Sequence, residues 1–207
     1  MLKLRKTDMK ADYDGKRQRD VAPVSADDVL ARLADLSIDS VTYDHPPLFT
    51  VEDSKAYRGP IPGCHCKNLF LRGKKKNQMW LLSCREDLSV NLKEIGAKLG
   101  GQRLSFGSPE RLLMYLGVMP GAVSPFALIN DPNQSVDVIL DKGMMLLSPL
   151  NFHPITNEKT TSISPNNLIK YRGGFITVHD KNNGEKNFEF LTHKIMEFGK
   201  NIVLSEG

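Results

Sequence analysis

The chain has 207 residues, 40% of them hydrophobic and 25% charged, which is ordinary for a globular protein that buries a core. A net charge of +4 is compatible with a polyanionic partner without requiring one. No run approaches the ~18 apolar residues of a membrane-spanning helix, and the N-terminus lacks the apolar stretch of a secretory signal. Three cysteines, Cys64, Cys66 and Cys84, form no disulfide framework and suit a reducing cytoplasm.

Residues 1–22 alternate basic side chains such as Lys3, Arg5, Arg17 and Arg19 with aspartates and carry almost nothing to bury, so they read as a basic flexible leader. Ser25-Ala26-Asp27-Asp28 has the spacing of a capping box, and Val29, Leu30, Leu33 and Leu36 give the following helix its apolar face. Val41-Thr42-Tyr43 reads as a short strand ended by His45-Pro46-Pro47, and Thr50 to Asp53 as a second capped helix start. Pro60-Ile61-Pro62-Gly63 breaks the chain.

Leu69–Arg72 and Met79–Ser83 predict a hairpin whose lysine-rich tip stays solvated. Leu92, Ile95 and Leu99 have helical spacing up to Gly100-Gly101. Ser108-Pro109 caps another helix that stops at Gly117. Strands are expected at 127–129, at 136–140 and near 151–153, with a short apolar stretch at 144–147 and a helix opening at Ser164-Pro165. Residues 176–207 read as a polar loop followed by an amphipathic helix with Phe188, Leu191, Ile195, Phe198 and Ile202 on one face. Short strands mixed irregularly with short helices predict an α+β domain over 23–175: a mixed, mostly antiparallel curved sheet or barrel-like core flanked by helices.

Three constellations could carry chemistry. Cys64-His65-Cys66 is a poor zinc site, because adjacent residues on a strand point to opposite faces and no second Cys/His pair is present. A nucleophilic cysteine lacks any local signature, and inert buried thiols are the better reading. The third is a pocket built from Lys67-Asn68, from the loop Gly117 to Phe126, and from Asn151-Phe152-His153-Pro154. A lysine at the head of an apolar strand either snorkels to water or meets an anion. The loop's two glycines and two prolines allow close approach to a ligand, and its amides suit a carbonyl or developing oxyanion.

These motifs, in this order, resemble the YbaK/prolyl-tRNA synthetase editing-domain family, and most closely its free-standing alanyl-tRNA(Pro) deacylases. His45-Pro46-Pro47-Leu48-Phe49-Thr50-Val51-Glu52 and Leu104 to Leu112 are similar to that branch too, and the likeness spans roughly residues 25–172. The resemblance implies hydrolysis of the ester between a wrong amino acid and the terminal adenosine of tRNA(Pro). Prolyl-tRNA synthetase is a further partner it admits, and it implies neither cofactor nor metal.

The resemblance places Lys67 at the substrate phosphate or developing charge and Asn68 at the ribose or carbonyl. Gly121 and Ala122 would hold the carbonyl oxygen through their amides. His153 would line the amino-acid pocket or place the water. Phe49, Thr50, Ser124, Pro125 and Phe126 are the expected substrate contacts. Cysteine, serine or threonine in place of alanine, and a non-catalytic aminoacyl-tRNA or synthetase-binding module, are the alternatives. The sequence does not decide the oligomeric state.

Overall fold

The computed structural model describes residues 23–47, 61–74, 78–171, 177–178 and 194–195. The leader, the Thr50–Asp53 helix start, Phe49 and most of the C-terminal segment lie outside the described residues.

Helix α1 (Ala26–Asp35) begins at the expected capping box: Ser25 Oγ accepts from the Asp28 amide, and the Asp28 carboxylate accepts from the Ser25 N–H at 2.7 Å. Strands β1 (Ser40–Asp44), β2 (Cys64–Arg72) and β3 (Met79–Arg85) follow, then α2 (Leu92–Lys98), β4 (Ser105–Phe106) and α3 (Pro109–Leu116). Ser108 caps α3, Pro109 takes its first turn, and Gly117 ends it at φ +66°, a left-handed conformation that glycine adopts without strain.

A 3₁₀ helix (Pro125–Asn130), β5 (Val136–Leu140), α4 (Lys142–Met145), β6 (Leu150–Phe152), β7 (Lys159–Ile163) and α5 (Pro165–Tyr171) complete the domain. Two further short strands, β8 (Thr177–Val178) and β9 (Lys194–Ile195), extend one edge.

The strands form one open, mixed sheet in the order β1-β7-β6-β2-β3-β5-β9-β8, with β4 also on β2. The fold is thus α+β as expected, and the sheet does not close into a barrel. The longest ladder is the antiparallel β2–β3 hairpin, in register from Cys66↔Arg85 to Arg72↔Met79.

Alternation along that hairpin sorts the core into two layers. Phe70, Met79 and Leu81 face α1, α3, the 3₁₀ helix and α5 through Val29, Leu33, Leu112, Leu116, Phe126 and Leu168. Leu71, Trp80 and Leu82 face α2 through Ile95 and Leu99.

Two expectations change. Residues 127–129 are 3₁₀ helix, not strand: Ser124 Oγ accepts from the Phe126 amide, Pro125 pre-sets the first turn, and Asn130 donates to the Leu116 carbonyl. A four-residue apolar run fits helix or strand equally, and here the cap decides. Lys194–Ile195 are extended, pairing with β5 and β8 where an amphipathic helix was expected. β2 also starts earlier than the expected hairpin arm, at Cys64, because β6 pairs with its first two residues.

Candidate active site

The site is organised by an interruption along one edge of β2. On that edge β6 pairs in parallel with Cys64 and His65, opposite Leu150 and Asn151, and β4 pairs with Leu71 and Arg72. Between them, at residues 66–69, β2 has a strand partner only on its β3 side among the described residues, while the Phe70 carbonyl accepts from the Gly107 N–H at 2.9 Å. An unpaired strand edge presents backbone donors and acceptors, and groups from both sheet faces can meet there. Lys67 and Asn68 sit in this notch.

Being adjacent on a strand, the two side chains leave on opposite faces. Asn68 faces the larger core layer, where Ser83 Oγ donates to its Oδ1 at 2.7 Å and its Nδ2 donates to the Val123 carbonyl at 3.0 Å. Ser83 is fully buried, so removing Asn68 would strand a buried hydroxyl, at a cost of roughly 1–3 kcal/mol. Asn68 therefore ties the glycine-proline loop to the hairpin. The hairpin register already contained this pairing, since Arg72↔Met79 forces Asn68 opposite Ser83.

The loop is held at its other end by buried residues. Ser124 is inaccessible and caps the 3₁₀ helix. Phe126 packs edge-on against Phe152 and Tyr171, with centroids 6.2 and 5.1 Å apart. The Tyr171 hydroxyl donates to the Phe126 carbonyl at 3.1 Å, and burial pushes that phenol's pKa up. Ser124, Pro125 and Phe126 thus build the loop's foundation from within the core. Gly121, exposed and at φ +95°, turns the chain where an L side chain would be strained. Of the two amides expected to face a ligand, Ala122 N–H is spent on the Met119 carbonyl at 3.1 Å, closing a turn. None of the described residues accepts from the Gly121 N–H, so that amide carries the expectation alone.

Lys67 leaves on the other face, and its ammonium donates to the Leu88 carbonyl. An ammonium has three donors, and among the described residues only the Leu88 carbonyl takes one. β6 pairs with β2 only at Cys64↔Leu150 and His65↔Asn151, so the ladder ends two residues short of both Lys67 and His153. His153 follows the end of β6, and its Nδ1–H donates to the Lys159 carbonyl at 2.8 Å. A carbonyl only accepts, so Nδ1 holds the proton and Nε2 of the neutral ring keeps its lone pair.

His45, just past β1, lies edge-on to that ring at 5.8 Å, and its own Nε2 is 2.9 Å from Thr160 Oγ1. The pairing of β1 and β6 with β7 brings the two histidines together, a contact that sequence spacing does not reveal.

Burial lowers the His153 pKa below 6.5, with neighbouring His45 adding to the effect and the Lys159 carbonyl opposing it. His153 thus binds fewer protons folded than unfolded. Its contribution to stability is complete above pH 6.5 and is lost as pH falls through the lowered folded value. An activity that uses the Nε2 lone pair should follow the folded value, giving a pH–rate profile with an acid limb centred below 6.5. His153→Gln should remove that limb; a limb centred above 6.5, or one that persists in the variant, contradicts the assignment.

Among the described residues no cluster of three or more His, Cys, Asp or Glu side chains could hold a metal ion. The chain belongs to the aminoacyl-tRNA editing domain family, whose profile matches residues 45–171.

Among its relatives, the prolyl-tRNA editing protein ProX of Acetoanaerobium sticklandii is 36% identical over 142 residues, covering 69% of this chain and 87% of the relative. The prolyl-tRNA synthetase associated domain-containing protein 1 of Xenopus laevis is 35% identical over 148 residues, covering 70% and 88%. The crystal structure of a candidate trans-editing enzyme for prolyl-tRNA synthetase shares the fold, with a TM-score of 0.57 at 19% identity over 72% of this chain and 94% of its own.

Proposed function

We propose that this protein deacylates mischarged tRNA(Pro) in trans, with alanine as the amino acid removed. Support comes chiefly from the 36% identity to a prolyl-tRNA editing protein across 87% of that protein's length. The chemistry explains the need. A synthetase pocket shaped for proline rejects smaller alanine weakly, since missing methylenes are worth only ~1–3 kcal/mol, and a second, smaller pocket sorts by size.

The aminoacyl ester is already activated, so a placed water and stabilisation of the oxyanion suffice. In this reading His153 Nε2 accepts a proton from the attacking water, and the two remaining Lys67 donors meet the developing charge or the terminal phosphate. The Gly121 amide receives the carbonyl oxygen, and Asn68 holds the loop that carries it. The expected substrate contacts Phe49 and Thr50 belong to the same reading.

Incubation with tRNA(Pro) charged separately with alanine, cysteine, serine and proline tests the proposal. Release of alanine with proline retained is the expected result. Release of cysteine or serine in preference to alanine changes the substrate. Tight binding of charged tRNA with no release at all makes the protein a binding module.

A further inference from the structure

Cys64 and Cys66 are two residues apart on β2, so they project to the same face, the face of Asn68. Both are free and half-buried, and their sulfurs lie 3.9 Å apart. Cys84 is fully buried on the opposite face, beside Leu82 and Trp80 in the alternation of β3. Arg85 stands directly across the ladder from Cys66.

We propose that Cys64 and Cys66 are an oxidation site, a dithiol that peroxide converts to a reversible intrastrand disulfide and that thereby slows the adjacent deacylation site. Only the activity readout rests on the function proposed above.

Attacking and resolving roles follow from the surroundings. The Cys66 thiol donates toward Cys64, which lowers the Cys64 pKa, with Arg85 adding to this and partial burial opposing it. The same contact and deeper burial raise that of Cys66, and burial pushes Cys84 up to about 12. Thiolate character and access select the reactive thiol, and a neighbouring thiol resolves it. The Cys64 thiolate attacks one peroxide oxygen, the O–O bond breaks, hydroxide leaves, and Cys64 becomes a sulfenic acid. The Cys66 sulfur then attacks the Cys64 sulfur, the S–O bond breaks, and the departing hydroxide takes the Cys66 proton. Two thiols and one hydrogen peroxide give one disulfide and two waters.

The product is within reach but not at rest on a strand. A rise of 3.2–3.4 Å per residue separates alternate Cα atoms by about 6.4–6.8 Å, the upper end of the range a disulfide bridges. Closing the bond draws in β2 at Cys64 and His65, the two residues that pair with β6, the strand that His153 follows. A displacement near 1 Å in such a site costs up to ~100-fold in rate.

The test oxidises the full chain with hydrogen peroxide, blocks the remaining thiols and maps tryptic peptides by mass, since peptide 59–67 carries both cysteines. The expected result is that this peptide loses two hydrogens while Cys84 stays a blockable thiol. Deacylation should fall roughly ten-fold or more and return with dithiothreitol. Cys64→Ser should keep its basal activity and resist peroxide, whereas Cys66→Ser should carry Cys64 on to sulfinic acid. A peptide still reduced after Cys84 has reacted overturns the proposal. So does a disulfide that leaves deacylation unchanged. If the untreated protein releases no amino acid, the functional reading fails, and the peptide mass still decides the oxidation site.

Discussion

Lys67→Ala should cut deacylation of charged tRNA(Pro) by ~10²–10³-fold, the scale of removing one charge-stabilising donor from a preorganised site. A loss on kcat at saturating substrate assigns the Lys67 ammonium to charge that develops in the reaction, and a loss confined to KM assigns it to the terminal phosphate. The fold should survive. What the variant loses is one charge-assisted hydrogen bond to the Leu88 carbonyl from a half-buried side chain, worth about 1.5 kcal/mol. Lys67→Arg separates charge from shape: a planar guanidinium keeps the cation but cannot present three donors from one point. Single-turnover hydrolysis, followed beside thermal unfolding, reads both effects. Near-normal turnover in the alanine variant removes Lys67 from the reaction.

Phe126→Ala should have the largest effect on stability, about 3–5 kcal/mol, as for other large aromatic truncations in a core. Phe126 is inaccessible and fixes the 3₁₀ helix through two edge-on aromatic contacts. At ~2–4 °C per kcal/mol for a domain of this size, melting should fall by roughly 6–20 °C. Activity should fall as well, measured well below the melting point, because the Gly121 loop leads directly into this helix. Phe126→Leu, which leaves a smaller cavity, should recover most of both. A melting point within a degree of the parent would mean that the loop is anchored elsewhere.

Local chemistry was legible wherever it is self-contained. Ser25 and Asp28 cap each other within four residues, Ser108-Pro109 sets its own helix start, and the β2–β3 hairpin follows from two apolar runs around a polar tip. Ser124-Pro125 carried the same cap as Ser108-Pro109, yet the apolar run behind it read as strand, because four residues are too few to show a period.

What remained illegible was non-local. The parallel pairing of β2 with β6 opens the notch at Lys67, and nothing near Lys67 in sequence encodes it. Pairing of β1 and β6 with β7 brings His45, read in the sequence as the end of a strand and the head of a family-like segment, against His153. The opposite exits of Lys67 and Asn68 were implicit in strand geometry, as they were for Cys64 and His65, and they put the Lys67 ammonium at the Leu88 carbonyl and the Asn68 amide between Ser83 and Val123.

The most direct measurement is the single-turnover rate of amino-acid release from Ala-tRNA(Pro) and Pro-tRNA(Pro), run side by side with the parent protein and Lys67→Ala. The account predicts rapid loss of alanine, proline left on its tRNA, and alanine release by the variant slowed ~10²–10³-fold. Equal hydrolysis of the two esters, or alanine release that does not depend on Lys67, would contradict it.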